Sequence, residues 1–409
     1  MMKLKDRVVM ILLLGSMLLC TLFGSMIVSG KKKETVPDLK PETDEPVVVP
    51  SNFLGSIEDE YNVPEEVLKP ITDYMDAYYL SIFTLELQDM KDCFSNERME
   101  EISEKSIALM IDVRKLYDFD FSLTKAHYDL KVSAYRKENN LYYVDLLEDD
   151  YMSYAFLKGI ESQAFEIENS FVIKEDEGKY RIEDLEKIQG YYMAFYEDDR
   201  SPDEVYDYYY SELRDMNIYH DEVLRRKASQ EAYHSDRSVS GQYDRSAAVA
   251  YLDRFYRSRN PEWYNFTDEG GNCQNYASQA LLAGGIPMDY VGEEQWKCYI
   301  SDPDYDPEIN EADSPSGRTR SWVNVGYFYN YAKYNEGEGL AAETDANLYY
   351  AEPGDIIMVG NGGLSHTVMV SKVVDGHILV NSNSIDMKDY PIEAYTYTNL
   401  TLIKILGYN

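Results

Sequence analysis

Asp268-Glu269-Gly270-Gly271-Asn272-Cys273-Gln274-Asn275-Tyr276-Ala277-Ser278-Gln279 is the stretch that decides the fold of the C-terminal part of this chain. Gly270 and Gly271 open loop conformations that side chains forbid. Asn272 is a residue type that caps helix N-termini. Tyr276, Ala277, Ala280 and Leu281 then recur at helical spacing on the face of Cys273. Gly284-Gly285-Ile286-Pro287 supplies a C-cap glycine with proline beyond it. Cys273 is thereby predicted in the first turn of a buried helix, where unpaired N–H groups and the macrodipole favour a thiolate.

A nucleophilic thiol needs a base, and of the 5 histidines only His366 and His377 follow Cys273. His366 opens a predicted strand after the loop Gly360-Asn361-Gly362-Gly363. Asp375-Gly376 signals a two-residue hairpin. With Val374 opposite His377, Asn383 falls opposite Val368, and His366, Val368 and Asn383 share one face. Asn383 is then the residue that orients the His366 ring, with Asn381 on the same face further off. A bulged turn would reverse the parity and bring Ser382 or Ser384 there instead. His377 is disfavoured, being about 26 Å from His366 along the hairpin at roughly 3.3 Å per residue.

Working outward, residues 8–28 carry no charge and are mostly aliphatic. At about 1.5 Å per residue they span roughly 30 Å, the thickness of a hydrocarbon core. They predict a membrane anchor over residues 8–30 behind a short cytoplasmic tail (1–7), with the folded part exported. Residues 31–63, with Pro37, Pro41, Pro46 and Pro50, read as an extended linker. Residues 64–200 change from helical spacing (Leu68, Ile71, Met75; Ile102, Ile107, Met110) to alternation (Tyr128, Leu130, Val132), with a turn at Asp176-Glu177-Gly178. This predicts an α+β domain, loosely similar in architecture to the cone-shaped nuclear-transport-factor-2-like domains. Residues 201–242 predict a charged connecting helix, and residues 243–409 the last domain.

A formal net charge of -35 argues against nucleic acid as a partner. The 4 cysteines include no CxxC pair, so neither a zinc knuckle nor a redox pair is signalled, and Cys93 and Cys298 read as buried thiols. Asp302, Asp304, Asp306, Glu308, Asn310 and Asp313 have the spacing of a calcium loop, but Pro307 occupies the position that needs a sharp glycine turn. An acidic surface insertion is expected there, with no metal and no cofactor.

The ordered elements Tyr243-Asp244-Arg245, Asn260-Pro261, Gly270-Gly271-Asn272-Cys273-Gln274-Asn275, Ser278-Gln279, Ala283-Gly284-Gly285-Ile286-Pro287, Ser321-Trp322, Gly354-Asp355 and Ser365-His366 resemble the Putative amidase domain family, a distant relative of NlpC/P60 and papain-like peptidases. The resemblance covers about the last 165 residues. It implies a Cys–His core on a helix packed against an antiparallel sheet, and hydrolysis of an amide or peptide bond. Members often carry Asp before the Cys and His after the hairpin, where this chain has Asn272 and Asn383. Asn serves as an orienting residue in papain-type sites. The expectation is therefore a Cys273–His366–Asn383 amidase or peptidase without a cofactor, acting outside the membrane on peptides such as those of peptidoglycan. The alternative is a catalytically weak or inactive papain-like module that binds at the cell surface. Trp296 and Trp322 are expected in the core rather than along a cleft.

Overall fold

Apolar side chains at three- and four-residue steps after Pro64 fold as two helices, α1 (Glu65–Thr84) and α2 (Glu97–Arg114). The protein, a computed structural model, is described over residues 50–188, 190–227, 233–267, 270–291, 295–298 and 318–409. The anticipated tail, membrane anchor, linker residues 31–49 and calcium-like stretch 302–313 lie outside the described residues. Among the described residues, no helix is long and apolar enough to cross a membrane.

The linker anticipated over 31–63 contains a strand, β1 (Phe53–Glu58), which adds in parallel to β2 with Phe53 opposite Ala126. Its alternate residues face inward, and Phe53 packs edge-on against Phe83 and Tyr128. The alternating segments fold as β2 (Leu123–Glu138), β3 (Leu141–Tyr154), β4 (Ser162–Asp176) and β5 (Lys179–Lys187). Glu177 (φ 52°) and Gly178 (φ 79°) form the two-residue turn between the last two. Beneath α1, the fully buried Lys187 and Glu148 pair at 2.8 Å, and Asn169 hydrogen-bonds both. This partnering offsets a desolvation cost of several kcal/mol per ion.

A short helix, α3 (Tyr192–Tyr196), and the long α4 (Pro202–Lys227) lead to α5 (Arg245–Phe255) and α6 (Cys273–Ala283). Then come α7 (Arg320–Val323), α8 (Val325–Tyr334), β6 (Leu340–Ala346), β7 (Ile356–Gly360), β8 (His366–Val374), β9 (His377–Ser382), β10 (Asp386–Pro391) and β11 (Asn399–Tyr408). The result is a mixed α+β unit from Asn52 onward. The eleven strands of the described residues join one sheet in the order β1-β2-β3-β4-β10-β9-β8-β7-β11-β6, with β5 also on β4. The parts anticipated as separate domains share this sheet. β4 pairs β5 from Asn169 onward but pairs β10 through Ala164 and Phe165, and Glu166 between them turns to φ 52°. In the C-terminal part of the sheet, Met358, Met369, Ile403 and Ile405 belong to the core beneath α5, α6 and α8. Ile357, Val359, Val368, Val370 and Leu402 belong to the opposite core with Val223 of α4.

The β8–β9 hairpin corrects the register derived from Asp375-Gly376. The turn itself is as expected, with Asp375 at φ 51°, Gly376 at φ 90° and Val374 opposite His377. After Lys372 pairs Leu379, however, Val370 pairs Val380 and Met369 pairs Asn381, so Ser371 is an extra residue. The shift reverses the parity expected beyond Lys372, and β9 ends at Ser382, so Asn383 and Ser384 lie in the turn that follows it. Asp389 clamps the bulge: its carboxylate accepts from Ser371 Oγ at 2.9 Å and from Lys372 Nζ at 2.5 Å. Its own N–H bonds Asn381 Oδ1 at 2.8 Å, and its φ is 50°. Asp389→Ala should destabilise the chain by about 1–3 kcal/mol, because two donors lose an acceptor. A chemical-denaturation midpoint indistinguishable from wild type would show that the clamp contributes nothing.

Candidate active site

Helix α6 is buried along its length from Cys273 to Leu281. Its C-terminus closes as a Schellman motif: Ile286 N–H bonds Leu281 O at 3.1 Å, Gly285 N–H bonds Leu282 O at 2.9 Å, and Gly285 takes φ 87°. Its N-terminus differs from expectation. Asn272 makes no side-chain cap. The cap comes from a distant turn instead: Ser384 Oγ accepts from the N–H groups of Asn272 at 2.9 Å and Cys273 at 3.1 Å. Those two N–H groups are therefore engaged by a side chain rather than unpaired. Gly271, at φ 111°, lets the loop pass close to Ser384, whose hydroxyl would stand 3.0 Å from any added Cβ.

Cys273 and His366 meet, although 93 residues separate Gln274 from Thr367, the neighbours that tie them together. Cys273 is 8% exposed, and the groups that act on its thiol are the His366 ring, the Thr367 backbone N–H and the Ser384 hydroxyl. Thr367 N–H is available for a physical reason. Neighbouring N–H groups along a strand alternate in direction, so groups three apart point oppositely, and Val370 N–H points to the β7 side, reaching Asp355 O at 2.9 Å. The N–H of Thr367 therefore points to the β9 side, but β9 ends at Ser382 and leaves a gap. The sulfur occupies it. Beside it, the buried Thr367 hydroxyl donates to Gln274 Oε1 at 2.8 Å, locking the start of α6 onto β8.

Burial is the largest influence on the Cys273 thiol and works against ionisation. The His366 charge and the hydrogen bonds from His366, Thr367 and Ser384 outweigh it together, holding the thiol below its ordinary pKa. His366 is partly exposed, and its ring lies nearly parallel to that of Tyr395, 6.3 Å away. Tyr395 Oη contacts Met387 Sδ at 3.0 Å and Ser382 Oγ at 3.4 Å.

Asn383 does not hold the imidazole. Its Nδ2 donates to Phe255 O at 2.9 Å, with Tyr256 O and Ser258 O at 3.4 and 3.5 Å, beyond the end of α5. Its Oδ1 accepts from Asn272 Nδ2 at 2.6 Å. The Ser371 bulge reverses the parity on which that expectation stood, and Asn383 itself lies in the turn after β9. The two positions at which this chain departs from the resembled pattern thus bond to each other. His377 is buried elsewhere, 3.0 Å from Glu393 and among the rings of Phe119 and Phe156. Trp296 and Trp322 are fully buried and stacked 4.8 Å apart, with indole N–H bonds to Ser278 Oγ and Asn275 Oδ1. Cys93 and Cys298 are buried cysteines outside any disulfide, and burial pushes the Cys93 thiol up to about 12.

Sequence reasoning missed Gln274 and Thr367, whose pairing leaves no local signal. It reached Ser384 only through the alternative parity.

Residues 242–406 match the family model described as Putative amidase domain, and the N-terminal part is unrecognised. The match marks this part of the chain as amidase-like, a class of hydrolase. Two curated relatives from Bacillus subtilis (strain 168) are similar to the chain. Uncharacterized protein YhbB is 32% identical over 154 residues, 36% of this chain and 43% of its own. Uncharacterized protein YjcM is 25% identical over 170 residues, 39% of this chain and 35% of its own. The aligned stretch thus spans less than half of either relative. No solved structure matches the chain.

Proposed function

We propose that residues 242–406 form a papain-like cysteine amidase or peptidase with Cys273 as nucleophile and His366 as base. One observation carries this reading: the sulfur at the start of a buried helix lies within the electrostatic reach of the imidazole at the start of a distant strand, which lowers its pKa. His366 takes the Cys273 proton, and the thiolate attacks the amide carbonyl carbon. As charge passes from sulfur to the carbonyl oxygen, the Thr367 N–H and the Ser384 hydroxyl are donors beside it. His366 protonates the leaving nitrogen as the C–N bond breaks. Water, giving a proton to His366, then attacks the thioester and releases the acid and the thiol.

Asn383 supports this site indirectly, by fixing the Asn272 side chain next to the nucleophile. Residues 8–28, uncharged and apolar, favour a membrane anchor with the folded part outside the cytoplasmic face. Exposed peptides of the cell wall are the substrate class that fits that location. A specific observation favours the binding-module alternative: Asn272 and Asn383 bond each other, so neither provides an acceptor for the imidazole.

Intact mass spectrometry with peptidoglycan stem peptides separates the two readings. The enzyme reading expects a transient acyl adduct on Cys273 and shortened peptides. Stem peptides that bind without adduct or cleavage would establish the binding module.

A further inference from the structure

We infer that Ser384 is a positioning residue that holds the Cys273 thiolate, passing the positive end of α6 to the sulfur through its hydroxyl. The inference rests on the reading of Cys273 as nucleophile. Ser384 Oγ accepts the N–H groups of Asn272 and Cys273 at 2.9 and 3.1 Å. A serine hydroxyl has two acceptor lone pairs and one hydrogen. Both lone pairs are engaged, which leaves the hydrogen to donate, and the Cys273 sulfur, on the residue whose N–H the hydroxyl accepts, is the neighbouring acceptor. Two incoming N–H bonds polarise the O–H toward donation. The first-turn N–H groups carry the positive end of the helix dipole. The hydroxyl therefore stands in series between that dipole and the developing negative charge.

The position is built by several independent features. Ser384 lies in the turn between β9 and β10, which are paired through Ser382 and Met387. Gly271 leaves the hydroxyl the space it occupies, and Asn383, the preceding residue, is anchored to the carbonyls beyond α5. The titratable groups facing the sulfur are His366 from β8 and Tyr395 from the segment after β10. A purely structural cap would change stability alone. A thiolate-holding hydroxyl also changes the pH at which the sulfur becomes reactive.

The test is the pH profile of Cys273 alkylation by iodoacetamide in the full chain, with labelling of other thiols subtracted using Cys273→Ala. Ser384→Ala should move the half-point upward by about one pH unit and slow alkylation near pH 6 about tenfold. Ser384→Thr, which restores a hydroxyl, should keep the wild-type profile, and Ser384→Val, of the same shape without it, should lose it. Near-UV circular dichroism verifies folding of each variant. Unchanged profiles in folded Ser384→Ala and Ser384→Val would overturn the inference. Iodoacetamide needs no substrate recognition, so the result is independent of the scissile bond. A profile sensitive to His366→Ala but not to Ser384 variants would remove only this inference, whereas one insensitive to both would remove the nucleophile as well.

Discussion

Cys273→Ala is expected to lower amide hydrolysis by roughly 10⁴-fold or more, as loss of a covalent nucleophile does in other acyl-transfer enzymes. The variant removes the one thiol that contacts a histidine at a helix start, and no other described cysteine can take over. Cys93 is buried with its pKa pushed up, in the core beneath α1 and α2, and Cys298 is buried against the tryptophan stack. The fold should survive. Cys273 donates its N–H to Ser384 through the backbone, which alanine preserves, and alanine favours the helix. Turnover of a scissile amide should be measured beside a thermal melt. A folded variant that turns over at the wild-type rate would place the chemistry elsewhere in the chain.

His366→Ala should have an effect of similar size on hydrolysis, because in the proposed mechanism His366 is both the base that takes the thiol proton and the acid that protonates the leaving nitrogen. It should also change the thiol itself, and the sign follows from the environment of the sulfur. Burial, the largest influence, raises the thiol pKa, while the His366 charge and hydrogen bond are the first two that lower it. Without the imidazole the balance moves upward, so a smaller fraction of the sulfur is thiolate at neutral pH. Alkylation of Cys273 near pH 7 should slow by about tenfold for each unit of pKa rise and recover only in alkaline solution. A His366→Ala profile superimposable on wild type would show that sulfur and imidazole do not interact in solution.

Much of this was written locally. Gly270-Gly271 followed by Asn272-Cys273, an apolar face after it, and Gly284-Gly285 at its end are nearest-neighbour signals for a helix, and α6 has those bounds. The same holds for the hairpin at Asp375-Gly376 and for the turn at Glu177-Gly178, where positive φ falls on adjacent residues. Periodicity distinguished α1 and α2 from the strands after them because burial on one face repeats at 3.6 or at 2 residues.

The identity of the third group at the site was not local. A period-two count assumes that no residue is extra, and Ser371 is extra because Asp389, on another strand, holds it there. That insertion removed the register on which Asn383 would share the face of His366, and in the turn after β9 Asn383 bonds the end of α5 while Ser384 bonds the start of α6. Likewise, the union of the two anticipated domains depends on β4 exchanging β5 for β10 at Glu166, a pairing between segments more than two hundred residues apart. The sequence by itself determined the helix, the hairpin, and the candidate thiol and imidazole, since each follows from backbone preferences of adjacent residues. Only the tertiary structure decided which polar side chains surround the sulfur, because strand parity is a property of paired strands and one bulge reverses it for every residue beyond.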